Sequence, residues 1–411
     1  MNVITSRTPY LPKDVDYDGS RLEALNAHFD RLMKKNQLLG ASYNLSRYGK
    51  TFAKACMGPK SGLKNETEPM QNDVLFHIYS ITKIITATAI FKLAEDGYLR
   101  MLQPVKDFLP EMDVKPFNEI TIANLLTHTS GLFPDEGAFD FQYNSPSDWN
   151  FIRTNTGDGE NWIHGAMKTG MHCKPGTQWN YCTFGFTLLG EVISRITGMR
   201  AETWIVKNIF EPCGMNESHF FNDIFYEEVS NEYALKLKER YYVHFEEDAH
   251  LIEYFDVYSK GERPDPATAL GDEWYKISKP STGGGVISTL EDLNTFGRML
   301  LNNGVADNGN RIIGRKAIER MTENYTTPDI GEYTWGTGGK YRMYGLGPDT
   351  RRTADNHYSL GTFFHEGYGA CSLTIDPVEK MVASWFVPYP DGKWIPEGLY
   401  NASAVMWSGI K

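Results

Sequence analysis

Phe76-His77-Ile78-Tyr79-Ser80-Ile81-Thr82-Lys83 runs without a break into Ile84-Ile85-Thr86-Ala87-Thr88-Ala89-Ile90-Phe91-Lys92-Leu93-Ala94 and stops at Gly97. The run predicts about four turns of mostly apolar helix closed by a glycine, the pattern of an element buried in a core. Ser80 and Lys83 stand three apart at its start, so on a helix they share a face. A serine beside an amine that can take its proton is an activated nucleophile. A plainer reading makes Ser80 a helix cap and lets Lys83 reach solvent. A second Ser-x-x-Lys, Ser61-Gly62-Leu63-Lys64, lies among Gly, Asn and Glu with no apolar run behind it, and reads as a solvated loop.

Working outward, strand patterns gather at the two ends of the chain. Ala41–Ser46 and Thr51–Cys56 flank Arg47-Tyr48-Gly49-Lys50 as a hairpin, and Ser372–Ile375 and Val382–Val387 read as strands near the C-terminus. Helical spacing marks residues 20–38, Phe184–Ile196 before Gly198, Ala201–Phe210, Thr289–Leu301 and about 397–407. Residues 133–180 are loop-rich, and residues 222–280, mixed in charge and rich in aromatics, read as an insertion over a site. The fold class is therefore α+β: an antiparallel sheet built from both termini, flanked by helices, with a mainly helical region inserted. The division expected is 1–100 with 285–411 as the sheet domain, and 101–284 as the helical domain with covering loops.

The 411 residues can bury a large core, and their net charge of −11 comes without a basic cluster. Nucleic acid and anionic membrane are poor partners for such a surface. Five scattered cysteines, without a Cys-x-x-Cys pair, predict reduced core thiols and no zinc site. Residues 1–18 have no apolar leader and no run spans a bilayer, so a cytoplasmic location is expected. His-Glu-x-x-His and Gly-x-Ser-x-Gly are both missing, which removes the zinc-hydrolase and α/β-hydrolase readings.

Taken in order, several short stretches resemble the serine β-lactamase-like superfamily. It includes class C β-lactamases, D-Ala-D-Ala peptidases, D-aminopeptidases and family VIII carboxylesterases. They are Ser80-Ile81-Thr82-Lys83, Leu125-Leu126-Thr127-His128-Thr129-Ser130-Gly131-Leu132, Pro175-Gly176 before Tyr181, Gly185 to Gly190, Ile209–Met215, Gly283-Gly284-Gly285 and His365-Glu366-Gly367. The resemblance spans about residues 20 to 405 and implies the β-lactamase/transpeptidase-like fold.

It also implies roles. Ser80 is the expected nucleophile, with Lys83 and Tyr181 handling its proton. The second motif of the group, Tyr-x-Asn, is here Tyr181-Cys182-Thr183. Thr183 lacks the amide that would hold the lysine and a substrate amide carbonyl, which weakens the case for peptides and β-lactams. The third motif is read at His365-Glu366-Gly367, with His365 as an electrostatic aid; a literal Lys168-Thr169-Gly170 precedes Tyr181 and reads as chance. The backbone N–H groups of Ser80 and Tyr368 are the expected oxyanion donors. Thr183, Glu366, Gly367 and Trp335 are expected to line the substrate, with Glu366 disfavouring anionic groups. His128 is expected to pack under the site as a structural residue. Phe139, Phe141, Tyr143, Trp179 and Trp335 suggest an apolar or aromatic acyl or alcohol group.

The activity expected is a serine acyl-hydrolase on small esters, without cofactor or metal. D-amino-acid amidase or peptidase action, weak β-lactamase action and acyl transfer stay open on the same residues. So does a catalytically silent binding protein, because the second motif is degenerate. Sequence leaves the oligomeric state open.

Overall fold

The computed structural model describes residues 3–138, 142–226, 229–263, 279–327, 330, 343–350, 357–368, 371–390 and 396–411. Nine strands form two antiparallel sheets among them. They are β1 (Ile4–Thr5), β2 (Ala41–Arg47), β3 (Lys50–Met57), β4 (Phe76–His77), β5 (His219–Phe220), β6 (Val286–Ser288), β7 (Phe363–Gly367), β8 (Cys371–Asp376) and β9 (Met381–Phe386). The large sheet has the order β1-β3-β2-β9-β8-β7, so both ends of the chain meet at its centre, where Tyr43 pairs with Trp385. The small one has the order β4-β6-β5. The β2–β3 hairpin turns on Tyr48 and Gly49, both at positive φ (55° and 74°). That pair of left-handed residues is what a two-residue turn matching the twist of its strands requires.

Two layers of helix cover the large sheet. On one face pack α1 (Ser20–Lys34) and the C-terminal helix Ala402–Trp407, around Phe29, Tyr43, Trp385 and Met406. On the other lies the largest core. It holds α2 (Thr82–Glu95), α3 (Thr183–Thr197) and α4 (Leu290–Leu301), with Leu373, Ile375 and Val382 of the sheet. In α2, every residue from Thr82 to Phe91 is buried. An all-round apolar helix can only sit inside a core, and the small Thr86-Ala87-Thr88-Ala89 stretch lets its neighbours close in. A third cluster packs the helices Asn231–Arg240 and His250–Ser259 against Ile287 of the small sheet. These helices belong to the stretch 222–280 that was expected as an insertion over the site.

Three details differ from the sequence reading. Ser80 lies in a 3-10 turn, Tyr79–Ile81, just before α2 and not as its cap. Ala201–Ile205 passes into a π-helical turn at Val206–Phe210. Pro212 has no N–H and crowds the carbonyl four residues back, and a widened turn accommodates both. The small sheet is also new, its strands being two or three residues long.

All five cysteines are free; Cys56, Cys182, Cys213 and Cys371 are buried as expected of core thiols, whereas Cys173 is only partly buried. Among the described residues no helix is long and apolar enough to cross a membrane, and no cluster of His, Cys, Asp or Glu could hold a metal ion.

Candidate active site

Tyr79, immediately before Ser80, is held at φ 45°. A bulky residue in that region stores strain of about 1–3 kcal/mol and stays there only if its surroundings insist. They do: its ring stacks on His77 at 4.3 Å and meets the edge of Tyr368 at 5.7 Å. Gly367 brings strand β7 up to this turn. A Cβ on it would stand 2.4 Å from the Ile78 carbonyl oxygen and 2.5 Å from the Cys371 sulfur, so only glycine lets the strand approach.

The Ser80 hydroxyl lies 3.0 Å from the Lys83 amine. Lys83 is fully buried and points to three oxygens: Ser80 Oγ, Thr183 Oγ1 at 3.2 Å and the Gly283 carbonyl at 2.6 Å. Burial disfavours the ammonium and lowers its pKa from 10.5 to about 8, with the nearby Asp135 carboxylate opposing the shift. About one amine in ten is then neutral at pH 7, enough for it to act as a base.

The Tyr181 ring centroid lies 4.9 Å from the Lys83 nitrogen. His128 holds it there. The imidazole packs on the Tyr181 ring at 4.3 Å, its Nδ1 accepts the Cys182 N–H, and its carbonyl accepts the Asn180 N–H. His128 itself sits at φ 58°. As expected it braces the site from below, and an acceptor Nδ1 means a neutral ring.

Thr183 stands beside Lys83 and donates its hydroxyl proton to Asp135 Oδ2 at 2.5 Å. Asp135 was not anticipated from the sequence. No motif marks it, and its link to Thr183 crosses 48 residues.

His365, on β7, is buried with its ring 6.4 Å from that of Tyr181. Its Nδ1–H donates to the Glu366 carbonyl, and in the neutral ring Nε2 then accepts from the Tyr344 hydroxyl at 3.0 Å. Tyr344, fully buried against Trp179 and His128, is a second unanticipated member. Strand alternation puts His365 and Gly367 on one face of β7 and Glu366 on the other. Tyr368 follows the strand, its side chain exposed and 6.5 Å from the Phe245 ring of the insertion. Tyr143 is tied to the same loop as Asp135, its hydroxyl donating to the Asp135 carbonyl at 2.5 Å. Trp335, Phe139 and Phe141 lie outside the described residues.

Ser80 and Lys83, from the Tyr79–Ile81 turn and the first turn of α2, thus converge with Tyr181 and Thr183, from just before and at the start of α3, with β7 alongside. Such a set can activate a hydroxyl, shuttle its proton and hold an acyl group.

The chain is similar to several known proteins. Penicillin-binding protein 4 of Amycolatopsis lactamdurans is 28% identical over 260 residues, covering 61% of this chain and 57% of that protein. Esterase EstB of Burkholderia gladioli is 29% identical over 216 residues, covering 51% of this chain and 54% of that protein. The chain therefore spans somewhat over half the length of each. A solved family VIII carboxylesterase superposes with a TM-score of 0.68 at 18% identity, covering 99% of this chain and 100% of that one, which shows the shared fold. The sequence model of the family described as Beta-lactamase matches residues 25–392, and the chain belongs to that family.

Proposed function

We propose that the protein is a serine acyl-hydrolase that forms an acyl-enzyme on Ser80 and acts mainly as a carboxylesterase on small esters. The observation that carries the reading is the buried Lys83 amine 3.0 Å from the Ser80 hydroxyl. Ser80 Oγ attacks the ester carbonyl while its proton passes to neutral Lys83. The oxyanion is taken by the backbone N–H groups of Ser80 and Tyr368. Collapse expels the alcohol, which leaves with a proton relayed from Lys83 through the Tyr181 hydroxyl. Water then attacks the acyl carbon, the same groups remove its proton, and the acid and free Ser80 are released.

Esters are favoured over amides because the Thr183 hydroxyl, already committed to Asp135, occupies the place of an amide donor. No cofactor is invoked. A second reading, amidase, peptidase or weak β-lactamase action, draws support from the relative named a penicillin-binding protein. A p-nitrophenyl ester and a chromogenic cephalosporin, each with wild type and Ser80→Ala, separate the readings. Ester turnover at least about a hundredfold above the cephalosporin, and lost in the variant, is expected. Preferred cephalosporin turnover supports the second reading, and no turnover of either points to a silent binding protein.

A further inference from the structure

We propose that Asp135 is a positioning residue: acting through the Thr183 hydroxyl, it fixes the direction of the hydrogen bonds around Lys83 and leaves the amine lone pair to Ser80. The proposal rests on Ser80 being the acylated residue. Asp135 is held by its own backbone N–H, which donates to the Tyr181 carbonyl at 3.0 Å. Its Oδ1 accepts the Thr183 N–H at 2.7 Å and the Ser147 hydroxyl at 2.9 Å, and its Oδ2 accepts the Thr183 hydroxyl at 2.5 Å.

Proton counting does the rest. A carboxylate only accepts, so the single Thr183 hydroxyl proton points to Asp135. Toward Lys83, Thr183 can then offer only oxygen lone pairs. The Gly283 carbonyl is also only an acceptor. Both contacts therefore consume an N–H of Lys83. A neutral amine has two N–H groups and one lone pair. The third partner, Ser80 Oγ, must face the lone pair and donate to it. Turning the Thr183 hydroxyl around would aim its proton at that lone pair and block the base.

Asp135→Asn is nearly isosteric and does this. The Thr183 N–H needs an acceptor, so the amide oxygen stays there and the amide N–H groups face Thr183 Oγ1. The hydroxyl proton is then displaced toward Lys83. The variant also removes the charge that opposes the depression of the Lys83 pKa.

The experiment follows p-nitrophenyl ester hydrolysis from pH 6 to 10 in wild type, Asp135→Asn, Thr183→Val and Thr183→Ser. In parallel it measures the rate at which a fluorophosphonate labels Ser80, located by peptide mass spectrometry. Expected are kcat and labelling rates down about 10- to 100-fold in Asp135→Asn and Thr183→Val, with KM within about twofold. The acid limb of the Asp135→Asn profile moves to lower pH, and Thr183→Ser, which keeps the hydroxyl, recovers most of the rate that Thr183→Val loses. An Asp135→Asn enzyme with wild-type kcat and an unmoved limb overturns the proposal, as does a fully active Thr183→Val. Should Asp135→Asn fold poorly, the Thr183→Val and Thr183→Ser pair decides alone. Wild type that is neither labelled at Ser80 nor active removes the esterase reading itself, a result distinct from failure of the Asp135 variants.

Discussion

Lys83 shows what the site asks of one residue. Its amine is buried where a charge is poorly solvated, and its pKa falls from 10.5 to about 8. Between those two values the unfolded chain holds a proton that the native protein has released. Stability therefore rises with pH across that window, and below pH 8 both states are protonated and the native one carries the penalty of a buried charge. The full swing is about 3 kcal/mol. In Lys83→Met, denaturant titrations at pH 7.5, 8.5 and 9.5 should lack the wild-type rise attributable to this group. A variant whose pH dependence of stability matches wild type would mean that Lys83 is not depressed. The same depression puts the acid limb of kcat/KM near pH 8 in wild type. Ser80 and Lys83 were legible in the sequence because their relation is local, three residues apart on one helical run. Asp135 and Tyr344 were not. Each reaches its partner across tens of residues, and single Asp and Tyr residues in loops carry no spacing signal.

At the scale of elements, the site depends on how closely β7 approaches the Tyr79–Ile81 turn. Gly367→Ala puts a methyl 2.4 Å from a backbone oxygen that cannot move without moving the turn. Overpacking of this kind costs about 1–3 kcal/mol, and a shifted Ser80 should lower kcat by at least tenfold. Gly49→Ala is the control. Its added methyl meets nothing within 4 Å, but the residue sits at φ 74° on the distant hairpin turn. It should cost about 1 kcal/mol in thermal or denaturant unfolding and leave kcat unchanged. Equal activity in the two variants would contradict the role given to the β7 contact. The hairpin, α1, α3 and α4 could be read from sequence because their apolar periods are long, and the hairpin turn and the end of α3 are also marked by Gly49 and Gly198. The small sheet could not: two-residue strands such as Phe76–His77 and His219–Phe220 are too short to display a period. Their pairing with Val286–Ser288 is decided by tertiary contacts.

For the whole molecule, the sheet formed by both ends of the chain and the helices between them put the site together from distant segments. The N-terminal third brings Ser80 and Lys83, the middle brings Tyr181 and Thr183, and the C-terminal part brings His365 and Gly367. The order of the short stretches made this legible in the sequence, whereas composition only suggested an aromatic lining for the substrate. The most direct measurement of the central claim is mass spectrometry of the protein quenched during turnover of a slowly deacylating p-nitrophenyl ester. One acyl group on the peptide containing Ser80, absent from Ser80→Ala, is the predicted result; an acyl group on another residue, or undiminished turnover by Ser80→Ala, would contradict it.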